Sequence, residues 1–138
     1  MDDKITAGVH RYYWQQDYNC ARTCLLMLGE LFNIPIERQA FQAAVGLHGA
    51  GGFRAQCGLV EGALMFIGIY FSAHEVPDEK IAIICYRFAQ AFTGRFGSLS
   101  CRDLRPSGFT EADPPHLCEG ITAKAIEFAR DYIQAQEV

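Results

Sequence analysis

Six cysteines are the residues of this sequence best suited to chemistry: Cys20, Cys24, Cys57, Cys85, Cys101 and Cys118. No two of them form a Cys-x-x-Cys pair, so neither the zinc-ribbon nor the thioredoxin-type motif is present. The haem-attachment motif Cys-x-x-Cys-His is missing for the same reason. A site that uses several of these thiols must therefore be assembled from distant segments of the chain.

Four of the cysteines fall near the expected N-termini of helices: Cys20, Cys57, Cys101 and Cys118. Cys20 directly follows Asn19, a good N-cap residue, and Cys57 follows a glycine-rich break. Cys118 is expected in the first turns of the last helix. Free N–H groups and the positive end of the helix dipole favour a thiolate, the form that binds metals or attacks disulfides. We therefore predict that these four residues share one site, as metal ligands or as redox-active catalytic thiols.

The other two cysteines are interpreted as core residues. Cys85 lies in the middle of an apolar helical run, and small buried thiols are common in cores. Cys24 lies one turn after Cys20 and fits the apolar stripe of its helix, although it could also touch the site. His116 is the best candidate for a ligand other than cysteine, because it precedes Cys118 by two residues.

Two glycines and two arginines lie beside the predicted site. Gly58 and Gly62 are spaced one helical turn apart after Cys57, and we take them as candidate cofactor contacts or as positions of close helix packing. Arg54 and Arg102 flank two of the cysteines, and a nearby cation lowers the pKa of a thiol.

Apolar residues recur at helical spacing in nearly every segment, which predicts an all-α fold. We expect one bundle of about five helices with a mostly apolar central helix. The predicted helices are Cys20–Phe32, Ile36–Leu47, about 53–72, 78–95 and 113–134. The chain is interpreted as a single domain, 1–138, with an N-terminal arm of about 1–17 and a helical core of about 18–134.

Charge and length narrow the function classes. The net charge of −4 argues against nucleic-acid binding, which needs a basic surface. The longest uncharged apolar stretch spans residues 62–73, well short of the roughly 20 residues that cross a bilayer. No secretory signal precedes the first predicted helix. We expect a cytoplasmic protein without a membrane span, in which the thiols stay reduced.

The segments around the four cysteines resemble a family of redox-active proteins named for a Cys…Cys-Gly-Ala-x-x-Gly…Cys…Cys pattern. The matching segments read Tyr18-Asn19-Cys20-Ala21, Cys57-Gly58-Leu59-Val60-Glu61-Gly62-Ala63, Phe96-Gly97-Ser98-Leu99-Ser100-Cys101-Arg102-Asp103-Leu104, and then Cys118. Order and approximate length agree from about Tyr18 to Tyr132. One departure is Leu59, where the family pattern has alanine.

The resemblance implies a small bacterial or archaeal protein of redox type, with the same four cysteines as its defining residues. A related module is part of split-Soret cytochromes, where it accompanies an iron–sulfur centre. Because this chain lacks haem-attachment motifs, only the iron–sulfur cluster carries over.

We therefore expect a redox or electron-transfer protein, or an oxidoreductase component, that works with an unidentified redox partner protein. The four thiols would bind an iron–sulfur cluster or zinc, or would form reversible disulfides with no cofactor. The alternative is a non-catalytic, zinc-stabilised helical module that binds a partner protein. In a third hypothesis, the chain binds an apolar small molecule and its cysteines are core residues only.

Overall fold

Helices account for all the regular structure in residues 3–105 and 116–136, the ranges that this computed structural model describes. Five helices have 12 or more residues: α1 (Asp3–Trp14), α2 (Cys20–Phe32), α5 (Gly58–Ala73), α6 (Asp78–Phe96) and α8 (Glu119–Gln134). Between them lie three shorter helices and a 3-10 turn: α3 (Arg38–Ala43), Ala44–Gly46, α4 (Gly49–Gly52) and α7 (Cys101–Leu104). The all-α prediction is confirmed.

Helix α5 is the centre of the bundle, as predicted, and packs against α2, α6 and α8. Its residues are apolar on nearly every side, which suits a helix surrounded by others. The largest of its buried side chains are Leu59, Phe66, Ile67 and Phe71, all about 1% exposed or less. Neighbouring Phe88 and Phe92 of α6 extend this aromatic core.

The approach of α2 to α5 depends on Gly62. A Cβ atom at this position would lie 2.5 Å from the carbonyl oxygen of Ala21 and 3.1 Å from the Cβ of Cys24. Real carbon atoms do not approach so closely, so only glycine allows this separation of the two helices. The expectation of close helix packing is met at Gly62.

Four helices differ from the expected pattern, and one of them is α5, which begins at Gly58 instead of about residue 53. The segment predicted as an arm forms α1, because Ile5, Val9 and Tyr13 recur every four residues and bury one face. The predicted helix 36–47 shrinks to the six residues of α3 followed by a 3-10 turn. The last helix begins at Glu119, and the predicted start at 113 falls outside the described residues.

Within the described ranges, no helix combines the length and the apolar character that crossing a membrane requires.

Substituting alanine for two glycines of α5 should have opposite effects on stability. Gly62→Ala should lower the free energy of unfolding by about 1–3 kcal/mol, because the added methyl group forces α2 away from α5. Gly68→Ala should raise it by about 0.5–1 kcal/mol, since open space surrounds that position and alanine is the better helix former. Urea unfolding of the two variants measures both effects, and a Gly62→Ala variant as stable as Gly68→Ala would contradict the packing argument.

Candidate four-cysteine site

Two backbone hydrogen bonds hold Cys57 and Cys101 side by side. The Cys57 N–H donates to the Leu99 carbonyl at 2.8 Å, and the Cys101 N–H donates to the Ala55 carbonyl at 2.7 Å. Gln56 and Ser100 lie opposite each other in this short antiparallel pair. Residues far apart in sequence are thus joined immediately before the starts of α5 and α7.

All four predicted site cysteines lie at helix N-termini. Cys20 and Cys101 are the first residues of α2 and α7, whereas Cys57 and Cys118 are the N-cap residues of α5 and α8. For Cys118 this is a small correction, because it precedes its helix instead of lying within the first turns. Each of these thiols therefore belongs to a residue at a helix end where the backbone N–H groups form no hydrogen bond within the helix.

The four cysteines line one cavity of about 330 Å³. The rest of the wall combines aromatic and aliphatic side chains with a few polar ones: Tyr13, Asp17, Tyr18, Asn19, His48, Gly52, Leu59, Leu104, Arg105, His116, Leu117 and Ile121. Cys57 is buried, and the other three thiols are partly exposed. The prediction that the four residues would meet in space agrees with this cavity.

Burial and mutual repulsion keep two of these thiols protonated. Removal from water, followed by the charges of Cys57, Cys101 and Cys118, raises the pKa of Cys20 to about 12. Removal from water also raises the pKa of Cys57 to about 11, although the backbone N–H groups of Leu59 and Val60 act in the opposite direction. Ionisation of Cys20 and Cys57 is therefore unfavourable near neutral pH.

Two arginines lie near the Cys101 thiol. Burial raises the pKa of Cys101, while the positive charges of Arg105 and Arg54 lower it. Arg54 was expected near the site from the sequence. Arg105 was missed, and it takes the role expected of Arg102, which is exposed.

Cys24 and Cys85 lie outside the cavity wall as described. Cys24 is buried behind Cys20, and its Sγ donates to the Leu59 carbonyl at 3.6 Å. Burial, then the neighbouring Cys20 and Cys57, raise the pKa of Cys24. Cys85 lies in α6, packed against the hydrophobic core, and burial alone raises its pKa. Both positions agree with the interpretation of these residues as part of the core.

Asn19 connects α2 to the glycine-rich segment that follows α3. Its side-chain oxygen accepts from the Arg22 N–H at 2.8 Å and thereby caps α2. Its Nδ2 donates to the carbonyls of Val45 at 2.9 Å and Ala44 at 3.2 Å, and lies 3.3 Å from Nδ1 of His48. One side chain therefore caps the Cys20 helix and holds His48 beside the cavity.

Glycines make room for two of the sulfur atoms. A Cβ on Gly58 would collide with the Sγ of Cys20 and the Leu47 carbonyl. A Cβ on Gly49, which has φ of +69°, would lie 3.3 Å from the Sγ of Cys101. Gly58 thus packs against a site cysteine, whereas Gly62 packs against the α2 backbone. A direct contact of either Gly58 or Gly62 with a cofactor stays a prediction.

His116 lines the cavity but is engaged in other contacts. Its Nε2 lies 2.8 Å from a carboxylate oxygen of Asp17, and its ring stacks on Tyr13 with centroids 4.6 Å apart. Among residues 3–105 and 116–136, no group of three or more His, Cys, Asp or Glu side chains is arranged to hold a single metal ion.

The sequence matches the family model described as "Putative redox-active protein (C_GCAxxG_C_C)" over residues 18–132. The matched segment contains all four cavity cysteines. The family pattern reads Gly-Cys-Ala-x-x-Gly, whereas this chain has Gln56 before Cys57 and Gly58 after it, with Gly62 five residues after the cysteine. The order Cys-Gly-Ala given above for the family was therefore wrong. No curated protein and no solved structure matches the chain.

The metal-free, reduced protein should become less stable as the pH rises above about 9. The folded state keeps protons on Cys20 and Cys57 that the unfolded chain releases near its ordinary thiol pKa of 9.0. Stability is therefore full below pH 9 and falls as the pH approaches the raised values of about 11 and 12. Urea midpoints at pH 7.5, 9 and 10.5, with a phosphine reductant, measure the loss.

The double variant Cys20→Ser/Cys57→Ser is the control for this loss. It should show a flatter pH dependence, because serine does not titrate in this range. An unchanged slope would mean that other groups, and not these thiols, cause the alkaline loss of stability.

Substitutions at Asn19 separate its two roles. Asn19→Ala removes the cap and the donors, and should lower the free energy of unfolding by about 1–2 kcal/mol. Asn19→Asp keeps the capping oxygen but loses the Nδ2 donors, so its loss should be smaller. Thermal unfolding compares the variants, and equal losses would show that the cap contributes nothing.

Proposed function

The chain belongs to this redox-active family, since the family model covers most of its length, and from that premise we propose that it is an electron-transfer protein. In this proposal Cys20, Cys57, Cys101 and Cys118 bind an iron–sulfur cluster, and the protein exchanges electrons with a partner protein. The observation that carries the proposal is the convergence of four helix-terminal thiols on one cavity.

The electrostatics of the thiols support a cationic occupant. The neighbouring thiols raise the pKa values of both Cys20 and Cys57, so ionising all four without a positive charge is unfavourable. Iron ions in the cavity would remove this penalty, because coordination by a metal deprotonates a thiol outright. The backbone N–H groups that point at these sulfurs further favour the thiolate form.

The arrangement of the thiols supports a cluster more than a single ion. A zinc site brings four ligands to within about 2.3 Å of one point. Among the described residues, no three His, Cys, Asp or Glu side chains are arranged around one metal ion, although the four cysteines line the same cavity. In a four-iron cluster each cysteine binds a different iron, so the thiols need not converge on one point. This difference favours the cluster over the zinc-stabilised module.

The residues around the cavity would set the properties of the cluster. When bound, an iron–sulfur cluster supplies a one-electron redox couple. The N–H groups of Ala21, Leu59 and Val60 donate toward the sulfurs of Cys20 and Cys57. Such hydrogen bonds, like burial, tune the reduction potential of a cluster. Arg54 and Arg105 would stabilise the negative charge of its reduced form on the Cys101 side.

Anaerobic purification followed by visible spectroscopy and iron and sulfide analysis tests the proposal. We expect broad sulfur-to-iron absorption bands that bleach on addition of dithionite. Serine at any one of the four cavity cysteines should lower the iron content severalfold. Cys85→Ser is the matched control, because it removes a partly exposed thiol that does not line the cavity, and its iron content should equal that of the wild type.

The other outcomes identify the alternatives. A colourless protein with one bound zinc would overturn the cluster and favour the structural module. A colourless, metal-free protein whose four thiols form disulfides reversibly would favour two-electron thiol chemistry at the same site. Equal iron loss in Cys85→Ser and in the cavity variants would contradict the assignment of the four ligands.

A further inference from the structure

Helix α1 precedes the family-matched segment 18–132, yet its side chains contact His116 and Glu119, on either side of Cys118. Three of its residues reach that turn from one face of the helix: His10, Tyr13 and Trp14. We propose that α1 is a positioning element of the site, and that Tyr13, Trp14 and Glu119 are the positioning residues that hold the Cys118 thiol at the cavity.

Glu119, the residue after Cys118, is held by both of its carboxylate oxygens. Oε1 accepts from the indole N–H of Trp14 at 2.6 Å, and Oε2 lies 2.9 Å from Nδ1 of His10. Two donors on successive turns of α1 thus fix the first residue of α8. Because Cys118 is the N-cap of that helix, its backbone is fixed with it.

Tyr13 reaches the backbone of Cys118 through one intermediate. Thr122 donates its hydroxyl hydrogen to the Cys118 carbonyl at 2.9 Å. The 2.7 Å contact between the hydroxyls of Tyr13 and Thr122 must therefore be a donation from Tyr13. A chain of two hydrogen bonds runs from α1 to the Cys118 carbonyl, and Tyr13, at its origin, is only 2% exposed.

The same turn contains a strained residue that needs support. His116 has φ of +59°, a backbone conformation that residues other than glycine rarely adopt. Tyr13 stacks on its imidazole, and Asp17, just beyond α1, bonds its Nε2. Contacts made by Tyr13 and Asp17 therefore hold both ends of the short segment from His116 to Cys118.

Burial decides which of these contacts matters most. Trp14 is 50% exposed, so its bond to Glu119 competes with water. The Tyr13–Thr122 bond is buried, and losing the Tyr13 hydroxyl leaves the Thr122 oxygen, which itself donates to the Cys118 carbonyl, without a donor of its own. We therefore expect Tyr13→Phe to affect Cys118 more than Trp14→Phe does.

The opposite side of α1 offers a matched control. Tyr12 donates to Glu30 of α2 at 2.8 Å and has no contact with the Cys118 turn among the bonds described here. Tyr12→Phe removes one tyrosine hydroxyl from the same helix, as Tyr13→Phe does. The two variants differ in which segment loses its contact with α1.

The experiment measures alkylation of each cysteine in the full-length, reduced, metal-free protein. Iodoacetamide is added for set times, and peptide mass spectrometry gives the modification rate at Cys118 and Cys57. Tyr13→Phe and Glu119→Ala should raise the Cys118 rate about three- to ten-fold, because the loss of one hydrogen bond shifts a local opening equilibrium by roughly this factor. The Cys57 rate should stay within about twofold of wild type.

Two further variants test whether the acceleration at Cys118 follows from the loss of particular hydrogen bonds. Glu119→Gln keeps an acceptor for Trp14 and should restore much of the protection that Glu119→Ala loses. Tyr12→Phe should leave the Cys118 rate unchanged. Equal acceleration at Cys118 and Cys57, or the same acceleration in Tyr12→Phe, would show general loosening of the fold and overturn the proposal.

Alkylation needs no bound cofactor, so its result is independent of the proposed electron transfer. Where the purified protein holds a cluster, Glu119→Ala should also shift its midpoint potential while Tyr12→Phe does not, since only the former moves a ligand. Selective alkylation of Cys118 in a colourless protein would support the role of α1 and overturn only the cluster. A coloured protein in which the variants accelerate alkylation of Cys118 and Cys57 equally would support the cluster and overturn the role of α1.

Discussion

The hydrogen-bonded pair of segments at 55–57 and 99–101 is the constraint on which the site depends. It places Cys57 and Cys101 together before either α5 or α7 has begun, and it uses backbone atoms alone. Once α5 is fixed by burial in the core, this pair fixes the position of Cys101. The glycine at 49 then allows the neighbouring segment to close against the Cys101 sulfur. The proximity of Cys57 and Cys101 thus depends on backbone hydrogen bonds that no side chain specifies.

Bringing four thiols together has an electrostatic cost that the rest of the bundle must offset. Removal from water, and after it the charges of the neighbouring thiols, raises the pKa values of Cys20 and Cys57. The aromatic and aliphatic core around α5 supplies compensating stability, because large side chains such as Phe66 and Phe88 are fully buried.

Local chemistry made much of this site predictable from sequence, and long-range contacts made the rest unpredictable. Asn19 before Cys20 and the glycine-rich break before Cys57 signal helix starts within a few residues, so the thiols could be chosen by position. Arg102 was expected near the Cys101 thiol and Arg105 was missed. In a helix the residue four positions along the chain, and not the next residue, lies beside Cys101. The role of α1 was missed because its partners, Glu119 and Thr122, lie more than 100 residues away.

The position of α1 before the family-matched segment also bears on how the cysteines are held in place. Cys57 and Cys101 are held by backbone hydrogen bonds, and Cys20 packs against Gly58, all within the segment that defines the family. The turn that bears Cys118 contains the left-handed His116. A turn with this conformation needs contacts from outside its own segment to keep one geometry. Tyr13 and Trp14 supply such contacts, so a helix that precedes the family-matched segment acts on one of its four cysteines.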